Sequence, residues 1–343
     1  MKPEVATVPR RPRLGFAGVG WIGLNRLRAV ATADCADIVC ITDVNAASAT
    51  RAVAALGATP AKADARLVRS FEELLEEDLD GVVIATPSGL HARQTIDALE
   101  RGRAVFCQKP LARTAAETAA TLATARRRDR LLAVDFCYRT VAGVPELVRL
   151  ARAGVIGEIF AADLVFHNAY GPDKSWFYDL AQSGGGCVMD LGIHLVDLLL
   201  LVVNDTPSGA VRSRLYTGGR LLTQPATELE DHALAEIDFA TGTTARLTCS
   251  WRLSAGQDAV IGAAFYGTRG ALALQNVGGS FYEFSVTHCE GTRRRILASG
   301  PDDWGGRAVN SWVAQLNAAP GFDAAALHLQ SVSDVIDAIY GRQ

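Results

Sequence analysis

Between Leu14 and about Phe136, five short apolar runs, "LGFAGV", "DIVCITD", "DGVVIAT", "RAVFCQ" and "LLAVDF", alternate with longer amphipathic stretches. Strands buried on both faces of a parallel sheet read as continuous apolar runs, and the crossovers between them need a helix. The alternation therefore predicts an α/β unit with a helix-covered parallel sheet. The intervening segments carry helix-end signals: "LHARQTIDALERG" closes on a glycine at C′, and "TAAETAATLATARRRD" opens on a capping threonine.

After about Tyr138 the texture changes. One more amphipathic helix, "VPELVRLARAG", leads into "EIFAADLVFHNA", and from Val211 to Ala298 strand-like runs follow one another with Gly, Asn and Thr turns between them. Consecutive strands without helices imply a large, mostly antiparallel sheet in a second, α+β domain. Two final segments, "RAVNSWVAQLNA" and "AALHLQSVSDVIDAIY", have helical spacing. The expected organisation is a disordered tail over 1–13, a dinucleotide-binding domain over 14–137 and a substrate and oligomerisation domain over 138–343, whose last helix could pack back on the first domain.

With 343 residues, 49% of them hydrophobic, the chain can bury two cores. Its formal net charge of -3 supplies no global field for nucleic acid or an anionic membrane, so the expected partner is a small molecule. The seven cysteines lack CxxC spacing and lie mostly in apolar runs, which points to a reducing cytoplasm and away from structural zinc. The basic opening has no apolar signal core, and the longest apolar run, "LVDLLLLVVN", is interrupted by Asp197 and too short to span a bilayer.

The first run leads straight into "GVGWIG", which places Gly18, Gly20 and Gly23 in GxGxxG spacing around Trp21 and Ile22, and a helical pattern follows. Such glycines allow a tight turn, close approach of a pyrophosphate and close helix packing, and the helix N-terminus offers free N–H groups to the anion. Asp43 ends the second run, about twenty residues on, where a carboxylate accepts from the adenosine ribose hydroxyls and repels a 2′-phosphate. No arginine follows at once in "DVNAAS", so the reading favours NAD over NADP.

Hydride transfer from an alcohol carbon needs a base for the hydroxyl proton and a positive donor for the oxygen. Lys109, just past "RAVFCQ", stands at the carboxyl end of the sheet, where open α/β sheets place their ligands. A solvated lysine at a strand end is the bland alternative. In "SGGGCVMDLGIHLVDLLL", Gly184 to Gly186 precede an apolar helix bearing Asp190, His194 and Asp197. Asp190 and His194 are four apart, so on an α-helix they share a face and the carboxylate can orient the imidazole. A histidine in so apolar a helix could equally be a satisfied core residue, and Asp197 reads as structural. No second histidine or cysteine sits at zinc-ligand spacing.

The GxGxxG turn, Asp43, "ATPSGLH", "QKP" and "GGGCVMDLGIH", in this order, resemble the glucose-fructose oxidoreductase, inositol dehydrogenase and rhizopine-catabolism family (Gfo/Idh/MocA) over nearly the whole chain from Leu14. The resemblance implies a Rossmann domain joined to an α/β domain whose open sheet mediates homodimer or homotetramer formation, with the active site between them. It implies that Lys109, Asp190 and His194 are catalytic: His194 exchanges the hydroxyl proton, Lys109 hydrogen-bonds the reacting oxygen and Asp190 contacts substrate. It matches Thr86, Pro87 and His91 to the loop beneath the nicotinamide side of the cofactor. The family's usual motif is Glu-Lys-Pro, and here position 108 is glutamine. Its loss of charge beside Lys109 alters hydrogen bonding near the nicotinamide ribose, though Gln108 can still accept and donate.

Candidate substrate contacts are Arg139, Lys174, Trp176 and Tyr178; the bland alternatives are an interdomain ion pair for Arg139 and simple packing on the glycine-rich segment for the aromatics. The expected function is an NAD-dependent dehydrogenase of a sugar, cyclitol or sugar derivative. Two rivals stand beside it: a glycosidase that retains its NAD and oxidises the sugar transiently, and a cofactor-binding regulator without turnover, against which Lys109, Asp190 and His194 argue together.

Overall fold

A computed structural model describes residues 10–57, 65–224 and 227–342. Residues 1–9 of the expected disordered tail lie outside the described residues. Arg10 to Arg13, counted with that tail, are placed by charge: Arg10 pairs with Asp80, Arg11 with Asp34, and Arg13 already belongs to the first strand.

The first sheet contains β1 (Arg13–Ala17), β2 (Asp37–Thr42), β3 (Arg66–Leu67), β4 (Gly81–Ile84), β5 (Ala104–Gln108) and β6 (Leu132–Asp135), all parallel, in the order β3-β2-β1-β4-β5-β6. The reversal of strand order lies between β1 and β4, the position at which doubly wound sheets open a crevice for a dinucleotide. β3, two exposed residues long, carries no apolar run that could announce it. The crossovers are α1 (Trp21–Ala33), α2 (Ala46–Leu56), α3 (Phe71–Glu76), α4 (Ser88–Glu100) and α5 (Ala115–Arg128). Thr114 caps α5 by accepting from the Glu117 N–H.

The second part begins with α6 (Val144–Arg152), β7 (Ile159–Asn168), the short α7 (Leu180–Ser183) and α8 (Ile193–Val203). It continues through β8 (Pro207–Thr217), β9 (Arg220–Leu221), β10 (His232–Phe239), β11 (Thr244–Ser250), β12 (Ala259–Gly267), β13 (Ala271–Asn276), β14 (Glu283–Glu290) and β15 (Arg293–Pro301). These form one nine-stranded sheet in the order β15-β14-β13-β12-β7-β11-β10-β8-β9, antiparallel except where β11 runs beside β7. Alternating burial along β7 and β10 leaves one face covered by helices and the other open.

Two closing helices, α9 (Arg307–Ala318) and α10 (His328–Tyr340), return to different places. α9 covers the first sheet beside α1: Trp312 is fully buried against Phe106, ring centroids 5.7 Å apart, and Gly81 is small because a Cβ there would stand 2.7 Å from the Trp312 ring. Removing such an indole typically costs about 3–5 kcal/mol. α10 lies against α5, α8 and β8, so the end of the chain ties the two sheets together. Although interrupted by Asp197, the helical stretch Leu180–Val203 is long and apolar enough to cross a bilayer by composition, contrary to the expectation from its apolar run alone; 83% of its most apolar window is buried inside the protein.

Candidate active site

The GxGxxG turn shows three different demands on glycine. Gly18 has φ +80°, and a Cβ there would meet the Ala85 and Thr86 backbone at 2.6–2.7 Å; at Gly23 a Cβ would lie 2.0 Å from the Gly18 carbonyl oxygen. A Cβ on Gly20 would meet nothing within 4 Å, so the space above the turn is open. No side chain caps α1, which leaves the N–H groups of its first turn without a capping acceptor and fits a pyrophosphate at the open turn. Trp21 and Ile22 open the helix, with Trp21 68% exposed. The Asp43 carboxylate accepts the Val19 N–H at 2.7 Å and the Asn45 N–H at 2.8 Å, which ties the end of β2 to the turn.

Thr86, Pro87 and His91 follow β4. His91, counted among the cofactor contacts, is buried, and both ring nitrogens face carbonyl oxygens: Pro110 at 2.6 Å and Thr86 at 2.7 Å. It braces the ends of β4 and β5 against each other and keeps no nitrogen free for a ligand. Burial lowers its pKa, opposed by the two carbonyls. Thr86 donates to Gln94 at 2.6 Å, and Pro87 precedes α4 without a side-chain cap bond.

Lys109 leaves β5 through a cis peptide bond to Pro110. Its Nζ donates to the Asp190 carbonyl oxygen at 2.6 Å and to Asp190 Oδ1 at 2.8 Å, while Trp251 Nε1 donates to Asp190 Oδ2 at 3.0 Å. Lys109 and Asp190 each keep 15% of the side chain exposed. Asp190 does not hydrogen-bond His194, contrary to the i,i+4 expectation. The backbone over Val188–Gly192 is a π turn before α8 begins, and both Asp190 carboxylate oxygens are taken, Oδ1 by Lys109 and Oδ2 by Trp251. His194 packs edge-on against Tyr138, centroids 5.0 Å apart, and Phe136; its Nδ1 is buried with no hydrogen-bond partner among the described residues. Burial, then the positive charges of Lys109 and Arg26, hold its pKa well below the usual histidine range, so the imidazole is neutral at neutral pH.

The turn that carries Asp190 is anchored by a buried carboxylate. Glu230 accepts the Gly186 N–H at 3.0 Å, the Val188 N–H at 2.9 Å and the Tyr340 hydroxyl at 2.8 Å. A Cβ on Gly186 would lie 1.8 Å from the Glu230 carbonyl oxygen, and one on Gly185 would lie 2.1 Å from the Tyr340 hydroxyl, which explains two of the three glycines. Burial raises the Glu230 carboxyl, with those donors opposing it.

Beneath Lys109 lies a second network. Gln108 Oε1 accepts the Lys109 backbone N–H at 2.8 Å, and Nε2 donates to Asp135 Oδ2 at 3.0 Å. Arg26 on α1 donates to the same oxygen at 2.5 Å. Both charged residues are buried; burial raises the Asp135 carboxyl, against the pull of Arg26 and Gln108.

The remaining candidates are dispersed. Arg139 makes a two-point ion pair with Asp197, which also meets His328 at 3.1 Å, so its guanidinium is committed to α8. Lys174 pairs with Asp173 at the surface, and Trp176 stacks on Phe177 at 3.8 Å. Tyr178 comes nearer: its ring centroid is 5.7 Å from that of Trp251, its hydroxyl donates to the Pro172 carbonyl and accepts from Arg252. Trp251, Glu230, Tyr340, Asp135 and Arg26 escaped sequence reasoning. Only Asp135, ending a recognised strand, stood where a signal existed; the others meet the site through long-range packing.

Two family models match the chain: "Oxidoreductase family, NAD-binding Rossmann fold" over residues 13–136 and "GFO/IDH/MocA C-terminal domain" over residues 144–273. The chain is 30% identical over 213 residues to 1,5-anhydro-D-fructose reductase of Ensifer adhaerens, a match covering 61% of each chain. It is 33% identical over 198 residues to inositol 2-dehydrogenase 3 of Saccharopolyspora erythraea, covering 56% of this chain and 54% of that one. The matched stretches thus span little more than half of these relatives. In fold it is similar to levoglucosan dehydrogenase in complex with NADH and levoglucosan, with a TM-score of 0.79, 20% identity and 96% of both chains covered.

Proposed function

The chain belongs to the Gfo/Idh/MocA oxidoreductase family, and from that premise we propose that it is an NAD-dependent dehydrogenase that oxidises a ring hydroxyl of a sugar, cyclitol or related polyol, or reduces the corresponding ketone. The observation that carries this reading is the conjunction at the end of β5: an ammonium, Lys109, held by Asp190, near a neutral histidine whose buried Nδ1 has no hydrogen-bond partner among the described residues.

When bound, a nicotinamide dinucleotide supplies the hydride acceptor or donor. Gly18, Gly20 and Gly23 open the turn for its pyrophosphate, and the uncapped start of α1 supplies N–H groups. Asp43 is proposed to accept from the adenosine ribose hydroxyls through lone pairs left free by Val19 and Asn45, which supports NAD rather than NADP.

Lys109 donates to the reacting oxygen and stabilises negative charge on it, with Asp190 and Trp251 fixing the direction of its Nζ. Neutral His194 takes the hydroxyl proton, a role that its lowered pKa permits at neutral pH. Tyr178, 41% exposed and packed edge-on to the buried Trp251, offers an aromatic face on which the apolar side of a sugar ring can lie. The relatives named as acting on anhydrofructose and inositol, and the structural neighbour holding levoglucosan, support a polyhydroxylated ring.

Seven unpaired cysteines support a cytoplasmic location, and the open sheet face, with Leu234 and Tyr266 44% and 37% exposed, supports self-association into a homodimer or homotetramer. The test is a screen of polyols, free sugars and nucleotide sugars for NADH formation. Stereospecific oxidation of one of them supports the reading. Hydrolysis of a glycoside without net NADH production would overturn it in favour of an NAD-retaining glycosidase, and NADH binding without turnover in favour of a regulator.

A further inference from the structure

Parallel pairing of β5 with β6 sets Gln108 opposite Asp135, the last residue of each strand. The contact is specific: Gln108 Nε2 donates to Asp135 Oδ2 at 3.0 Å while Oε1 receives the Lys109 backbone N–H at 2.8 Å. Asp135 Oδ2 also receives Arg26 Nε at 2.5 Å, and Asp135 Oδ1 is buried without a hydrogen-bond partner among the described residues. Arg26 and Asp135 are 3% and 0% exposed. Two donors, Arg26 from α1 and Gln108 from β5, together with the nearby charge of Lys109, offset the burial of this carboxylate.

Arg26 lies a turn and a half into the helix that begins at the GxGxxG turn, and its Nη1 donates to Asn25 at 2.8 Å. A continuous chain of polar contacts thus runs from that helix through Asp135 and Gln108 to the backbone of Lys109. Its charges close in pairs, Arg26 with Asp135 and Lys109 with Asp190, and the residue between the pairs is neutral. A glutamate at the half-buried position 108 would face Asp135 with acceptor against acceptor and add a second negative charge beside it. This accounts for the departure from Glu-Lys-Pro.

We propose that Gln108 is a positioning residue whose amide is required because it joins the buried Arg26–Asp135 ion pair to the backbone of Lys109, and so couples the dinucleotide-binding helix to the aim of the catalytic lysine. The inference rests on the dehydrogenase reading for the role of Lys109. The coupling itself has a readout independent of turnover.

The experiment is a double-mutant cycle in the full chain: Gln108→Glu, Asp135→Asn and the double variant, with Gln108→Met removing the amide without adding charge. Thermal midpoint, NADH affinity by fluorescence titration, kcat and KM are measured for each. Each single variant is expected to weaken NADH binding several-fold and to lower kcat about tenfold or more with KM for the sugar little changed, and the double variant to recover most of both losses. Gln108→Met, which folds without a new charge, is expected to lose kcat and NADH affinity without recovery by Asp135→Asn. Losses that simply multiply in the double variant would overturn the coupling, as would a Gln108→Met variant that lowers only the thermal midpoint. If no polyol is oxidised by the wild type, the dehydrogenase reading fails, while the cycle in NADH affinity still decides whether the relay exists.

Discussion

Lys109 Nζ and Asp190 meet twice, 2.6 Å to the carbonyl oxygen and 2.8 Å to the carboxylate Oδ1. The double contact joins the residue that follows β5 of one sheet to a π turn that leads into the core helix beside the other. It holds a flexible four-carbon side chain in one direction, which is what a donor to a developing oxyanion needs.

Replacing Lys109 by alanine is expected to reduce kcat by about 10²–10⁴-fold while NADH affinity stays within a few-fold of wild type, because the lysine serves the reacting oxygen and not the pyrophosphate. Steady-state turnover and fluorescence titration measure the two. Retention of most of the activity would remove Lys109 from the mechanism.

Trp251→Phe keeps an aromatic ring in the buried position and deletes one donor to Asp190. The loss of a hydrogen bond to a charged group, worth about 1.5–3 kcal/mol, is expected to appear as a roughly 10- to 100-fold fall in kcat/KM with circular dichroism unchanged. An unchanged kcat/KM would show that Lys109 alone holds Asp190.

The pH profile follows from His194, whose pKa is lowered from 6.5 by burial and by the nearby cations. The base must be neutral to accept the hydroxyl proton, so oxidation is lost as pH falls through the lowered value. The acid limb of log kcat/KM is expected to lie below pH 6.5, with His194→Gln losing the limb together with most of the rate. An acid limb above 6.5 would contradict the burial argument.

Asp43→Ala removes both the proposed ribose acceptor and the brace on Val19. Weaker NADH binding by about tenfold is expected, with the NADH-over-NADPH preference lost, since a carboxylate no longer opposes the 2′-phosphate. Parallel titrations with the two nucleotides test this; tighter binding of NADPH by the wild type would overturn the cofactor choice.

Tyr340→Phe takes a donor from the buried Glu230 carboxylate and an acceptor from the Met189 N–H in the same turn. The expected cost is about 1–3 kcal/mol of stability, read by urea denaturation, with a secondary loss of kcat as the Gly186–Asp190 turn loosens. A variant as stable as wild type would show that the Gly186 and Val188 N–H groups suffice.

Five parallel strands, the glycine-rich turn and the lysine at the end of β5 were legible in the sequence because each is a local event. Burial on both faces of a strand leaves an uninterrupted apolar run, and a glycine at φ +80° leaves a glycine in the chain. Pattern alone also separated the mostly antiparallel second sheet from the first. What sequence could not carry was side-chain pairing across elements far apart in the chain. Asp190 and His194 looked like partners because they are four apart; Asp190 instead takes Lys109 and Trp251, donors brought in from the ends of β5 and β11. Arg139, a candidate for substrate, is spent on Asp197, and Gln108, which read as a lost charge, faces a carboxylate on the neighbouring strand. Periodicity records which residues face a core, since burial acts on each side chain separately. Which buried charge meets which donor depends on register and on how two sheets and the returning helices α9 and α10 close on one another, and only the tertiary structure decides that.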